Sequence, residues 1–184
     1  FINRVGKSIK GVVDVQVGAS ANDGYWDAAA SFDATYDNMF LGKTGSSFIN
    51  FFAMWTGINI PAGAKIIDAT VYLYLSSCVG TPSGNLLYMN DAATPTAPTT
   101  ASGANGKAKT TASVACNPSG AAGWKTYDVK SIVEELMASY SGYSNGVMMA
   151  LAIGAGSEMN YASIRSYDYT GNAHGPRLVI NWMR

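Results

Sequence analysis

The chain has 184 residues, balances twelve basic against twelve acidic side chains, and is 48% hydrophobic but only 13% charged. A neutral chain of this length buries one sizeable core and sets up no global field for nucleic acid or an anionic membrane. No apolar run approaches the roughly 20 residues that span a bilayer.

The charged share is about half the usual one, so Ser, Thr, Asn, Gly and Tyr must supply the surface. Such a surface suits weak polar contacts, extracellular life or packing into an assembly. Residues 1–11 read as an N-terminal arm, with Arg4, Lys7 and Lys10 as its basic cluster, and residues 12–184 as a single β-sandwich domain. A start at Phe1 rather than Met is expected of a processed product, an excised fragment or an incomplete stretch of a longer polypeptide.

In chain order, Val13, Val15 and Val17 alternate with Asp14 and Gln16 and mark a first strand. Residues 18–47 interleave Gly, Ser, Asn, Asp and aromatics and read as a long loop with one short strand near residues 39–41. Residues 48–75 form two consecutive strands joined through Pro61, Ala62 and Gly63. The first is apolar on both faces, with Phe52, Met54 and Ile58 against Phe51, Ala53 and Trp55, as expected of a strand between two layers. The second puts Ala69, Val71, Leu73 and Leu75 on one face and Thr70, Tyr72, Tyr74 and Ser76 on the other.

A short strand follows at residues 85–89. Residues 91–123, rich in Ala, Thr, Gly, Pro and Ser, read as a flexible linker or as a segment with one edge strand near residues 112–115. Residues 128–140 are the one helix: Asp128 can cap it, and Val129, Ile132, Val133, Leu136 and Tyr140 make one apolar stripe. Strands at residues 147–153, 162–167 and 178–182 complete the chain. Many short strands, Gly-rich turns and one short helix predict an all-β fold, an antiparallel jelly-roll-type β-sandwich. The first and last strands are expected to pair or neighbour one another.

Catalytic motifs are hinted at and then fail. Gly142, Ser144 and Gly146 match a nucleophile elbow, but that turn needs a strand before the serine and a helix after it, and here the order is reversed. Gly6-Lys7-Ser8 and Gly42-Lys43-Thr44 lack the leading glycine of a phosphate loop. His174, the lone histidine, has no companions at metal-ligand spacing. Glu134 and Glu135 read as a solvated helix face, and Pro118 disables the sequon at Asn117. The expectation is no enzyme and no catalytic residue. Cys78 and Cys116 permit one disulfide and leave the redox compartment open.

Two features remain as candidate sites. Asp23, Asp27, Asp33 and Asp37 crowd one loop, and their hard oxygens suit Ca²⁺ as a cofactor; the plain alternative is turn-forming, solubilising residues. Tyr25, Trp26, Phe32, Tyr36 and Phe40 share that loop and offer stacking surface for a sugar ring or a protein neighbour. Their alternative is to cap one end of the core.

Several blocks together carry a family resemblance. They are residues 56–66 (TGINIPAGAKI), residues 109–114 (KTTASV), residues 124–136 with their DVKSIVEE core, Asn145-Gly146-Val147, and Arg165-Ser166-Tyr167-Asp168 leading to residues 175–180 (GPRLVI). Their order resembles the DNRLRE-type β-sandwich modules, which overlap a class of carbohydrate-binding modules. It is most similar to the versions found in phage virion proteins and large secreted bacterial proteins. The Asp-Asn-Arg-Leu-Arg-Glu string itself is absent. The resemblance implies a non-enzymatic binding or structural module on a virion or extracellular surface. Its implied partners are other copies of itself, other virion or surface proteins, or a polysaccharide, with no nucleic acid and no membrane.

Overall fold

A computed structural model of the chain describes residues 8–28, 31–157 and 159–184. Their strands, in chain order, are β1 (Lys10–Gln16), β2 (Asp23–Asp27), β3 (Phe32–Asp33), β4 (Asn38–Thr44), β5 (Ser47–Ile60), β6 (Lys65–Val79) and β7 (Leu86–Met89). They continue with β8 (Val114–Ala115), β9 (Gly123–Asp128), β10 (Tyr143–Ile153), β11 (Asn160–Arg165) and β12 (Arg177–Met183). The fold is all-β, and the described strands join antiparallel into one curled twelve-stranded sheet.

The sheet is organised by its two longest strands. β6 takes β12 and then β11 along one edge and β9 along the other. β5 takes β4 and then β10 along one edge and β2 along the other. β4 pairs with β11 and connects the two halves. The curl brings β5 opposite β1 and β12, and the Trp55 indole Nε1 donates to the Pro176 carbonyl across that gap at 3.1 Å. The first strand does pair with the last, in register from Lys10 opposite Met183 to Gln16 opposite Arg177.

Period-two alternation explains which faces are buried. Ala69, Val71, Leu73 and Leu75 are all fully buried, whereas Thr70, Tyr72, Tyr74 and Ser76 stay partly open. In β5, Phe51, Ala53 and Trp55 face the main core, as expected. Ile58 joins them rather than Phe52 and Met54. The cause is a β-bulge: the β10 register slips between Gly146 and Val147, and Gly57, at φ +75°, is the extra residue. One added residue reverses the phase of every later side chain.

The helix of residues 128–140 forms as α2 (Lys130–Tyr140), with Val129, Ile132, Val133 and Leu136 in the core. Asp128 is one residue too early to be the cap itself, but its Oδ1 accepts from the Lys130 N–H at 2.9 Å. The helix is not alone. A second one, α1 (Ala101–Asn105), lies in the segment read as a linker, started by Thr100, whose Oγ1 accepts from the Gly103 N–H. Ala101 and Ala104 cover the outer side of β5 and β10 in a second core with Trp26, Phe52, Met54, Met149 and Leu151. Residues 91–113 are therefore an ordered cover. Glu135, expected in solvent, accepts the backbone N–H groups of Thr111 and Ala112 at 2.7 Å each, and Tyr140 donates to Asp91 at 2.7 Å.

The long loop of residues 18–47 is also more regular than expected, since it holds β2, β3 and β4. The arm lies mostly outside the described residues. Its end is sheet: Ile9 and Arg184 exchange both backbone hydrogen bonds at 2.8 Å, and β1 starts at Lys10. Cys78 and Cys116 are both free thiols.

Candidate functional site

The five aromatic residues expected to form one contact surface separate into two groups. Trp26 is fully buried, and Phe32 stacks on Phe52 at 5.9 Å, so these two belong to the second core. Tyr25, Tyr36 and Phe40 stay together outside it. Tyr25 meets Phe40 edge-on at 5.0 Å, Tyr36 stacks on Phe40 at 6.0 Å, and Tyr161 closes the group at 6.2 Å from Phe40. Burial raises the Tyr25 phenol above its ordinary range, with the charge of Asp33 adding to it. Most of these ring faces are spent on each other; Tyr36, 50% exposed, is the open one.

The four aspartates do not converge. Asp27 Oδ1 accepts from the Ser31 N–H four residues on, across the β2–β3 connection, and Asp33 Oδ1 holds both the N–H and the hydroxyl of Thr35, the former an ordinary Asx turn. Asp37 is exposed. Asp23 is buried, and burial pushes its carboxyl up to about 7, with the bond from Tyr167 opposing and the charge of Asp168 assisting. Among the described residues no three His, Cys, Asp or Glu side chains lie together as a metal set.

The most developed surface was not singled out by sequence. Tyr72 and Tyr74 point away from the core on β6, and β9 sets Trp124 opposite Tyr74 and Thr126 opposite Tyr72. On the other edge, β12 sets Arg177 opposite Tyr72. Trp124 is 45% exposed, whereas Tyr127 on the same strand packs against the core. Tyr72, Trp124, Thr126 and Arg177 line a hollow of about 210 Å³.

The rings of this shelf brace one another. Tyr74 meets Trp124 edge-on at 5.4 Å, and His174 lies 4.1 Å from Tyr74, 6.1 Å from Trp124 and 5.6 Å from Tyr169. The Arg177 guanidinium lies 5.6 Å from the Tyr72 ring and is held by both oxygens of Asp14. That fork draws the Asp14 carboxyl below its ordinary value and raises Arg177 further. A fixed cation, ring faces and a hydroxyl provide stacking and hydrogen bonding, which are recognition chemistry.

Ser144 of the elbow-like motif, His174 and Asp168 lie in separate surroundings. Ser144 is exposed at the start of β10, His174 is wedged among the shelf rings, and Asp168 accepts the Ser20 hydroxyl at 3.0 Å. The signal that could have found the shelf was residues 123–128, GWKTYD, whose alternation puts Trp124 and Thr126 on one face. No family model matches the chain, and no curated protein matches it either.

Proposed function

We propose that the chain is a non-enzymatic structural or binding module of a virion surface, a head decoration, fibre or tail appendage that mediates assembly or attachment. Its two sheet halves follow a jelly-roll-type sandwich plan in this reading, supported by the curl that sets β5 across from β1 and β12. The observation that carries the proposal is Trp124, a large ring left 45% exposed on a braced aromatic shelf. Tryptophan is enriched among the residues that anchor partners, and a ring held open in a braced cluster is suited to that role. The low charge supports it too, because little long-range repulsion keeps copies or neighbouring surface proteins apart.

A second reading, a carbohydrate-binding module of a secreted bacterial enzyme or adhesin, is favoured by the composition of the same shelf. Trp124 and Tyr72 supply ring faces, and Thr126 and Arg177 supply hydrogen-bonding groups around one hollow. This is the chemistry a sugar ring with one apolar face requires.

Sedimentation of the full chain, beside affinity electrophoresis through a panel of polysaccharides, separates the two. Self-association through an interface above about 1,000 Å² supports the virion reading. A strict monomer retarded by a polysaccharide, with the retardation lost in Trp124→Ala, supports the module. A monomer indifferent to every polysaccharide would count against both.

A further inference from the structure

Where β2 begins, it meets the turn of residues 166–169 around a set of oxygens whose charge is not balanced. Asp23 is 0% exposed. Its Oδ2 accepts from the Tyr167 N–H at 2.8 Å, while Oδ1 is sealed from solvent with no partner. Burying a carboxylate in this half-satisfied state is expensive unless the group takes up a proton or a cation meets the free oxygen. Asp168 directly follows Tyr167, whose N–H holds Asp23, and its charge adds to the upward push on the Asp23 carboxyl. One Oδ of Asp168 takes the Ser20 hydroxyl at 3.0 Å, and that hydroxyl also lies 2.9 Å from the Ala34 carbonyl.

Among the described residues no basic side chain forms an ion pair with either carboxylate; the ion pairs are Lys130 with Glu134 and Arg177 with Asp14. Arg165, the nearest base along the chain, lies 3.6 Å over the Tyr169 ring and donates to Asn38. Ser166 is spent on the Tyr36 carbonyl.

We propose that Asp23 and Asp168 form a site for a divalent oxygen-seeking cation, Ca²⁺, with the Ser20 hydroxyl and the Ala34 carbonyl as neutral oxygens of the same cluster. Two carboxylates match a double charge, and every group present is a hard oxygen. Ca²⁺ tolerates an irregular arrangement of such ligands better than Mg²⁺, which demands a near-ideal octahedron. The site shares only Asp23 with the aspartate set that the sequence put forward. Its effect is structural: it ties the start of β2 and the residue-34 backbone to the turn that precedes the shelf residue His174. It is independent of which partner the shelf takes.

The test uses the full chain, stripped with chelator and titrated with Ca²⁺, following Tm, and separately with Tb³⁺, whose luminescence Tyr167 and Tyr169 can sensitise. Asp168→Asn is the informative variant, because this partly exposed side chain can be neutralised without opening the core. Asp33→Asn is the control for an aspartate outside the site. Expected are saturable Tb³⁺ luminescence displaced by Ca²⁺ and a rise in Tm of about 5 °C at one hundred times the dissociation constant. Both effects persist in Asp33→Asn and vanish in Asp168→Asn. An unchanged Tm up to about 10 mM Ca²⁺, above the weakest range of extracellular sites, would overturn the proposal. So would an equal response from Asp168→Asn.

Discussion

The indole Nε1 of Trp26 donates to Oδ1 of Asn105 at 2.8 Å, joining β2 to the helix α1 from a distant part of the chain. Trp26 is fully buried, so the bond satisfies a donor that has no access to water. Asn105→Ala leaves that donor orphaned and should cost about 1–3 kcal/mol in denaturant unfolding. In a Trp26→Phe background, which has no indole donor, the same Asn105→Ala change should cost less. If residues 91–113 behaved as a free linker, Asn105→Ala would stay within about 0.5 kcal/mol of wild type.

The parts of the fold that were legible are those in which local pattern and burial agree. Ala69, Val71, Leu73 and Leu75 alternate, and α2 carries a full apolar stripe, so both were readable. The cover of residues 91–113 was not, because its buried contacts come from Ala101 and Ala104. Small residues give little periodic signal, yet they let a segment lie close against a sheet. β2, β3 and β9 were missed because they are short, and β2 and β9 also lean on the distant strands β5 and β6.

The same physics limited the site. Alternation placed Tyr72 and Tyr74 outward, but the pairing that sets Trp124 beside Tyr74 was invisible. Asp23 was noticed for its neighbours in sequence, whereas the charge that acts on it comes from Asp168. Bulges act similarly. Gly57 inside a strand pattern hints at a bulge, but only the pairing with β10 shows that Ile58 changes face there.

Gly154 marks a crossing of backbones. A Cβ there would run into the carbonyl oxygens of Ile49 and Gly42, and neither is a flexible side-chain end. Gly154→Ala must push apart the junction of β4, β5 and β10, at a cost of about 1–3 kcal/mol. Gly18 has open space around its would-be Cβ. Gly18→Ala should therefore be neutral or stabilise by up to about 1 kcal/mol. Equal unfolding midpoints for the two variants would contradict the crossing.

The Asp14–Arg177 fork predicts a pH response of definite sign. The hydrogen bond from Arg177 holds the Asp14 carboxyl below its ordinary 3.8. Its contribution to stability is thus complete above that value and is lost as pH falls through the lower folded pKa. Both side chains are substantially exposed, so the effect on unfolding is small. Carboxyl NMR is the better measurement. Asp14 should titrate below 3.8 in the native chain and return towards it in Arg177→Met, and an identical midpoint in the two would refute the fork.

The two thiols should react very differently. Cys116 is fully buried, and burial pushes its pKa up to about 12, against a lowering hydrogen bond with Tyr127. The reactive species is the thiolate, so Cys116 is protected both by access and by protonation. Cys78 is only partly buried, near the Gly120 carbonyl. A disulfide-exchange reagent at mildly alkaline pH should label one thiol of the native chain quickly, and Cys78→Ser should abolish that fast phase. The second equivalent should appear only with unfolding, at a rate that denaturant increases. Two equally fast equivalents would show that the Cys116 pocket opens readily, and no reactive thiol before reduction would mean that the cysteines are bridged after all.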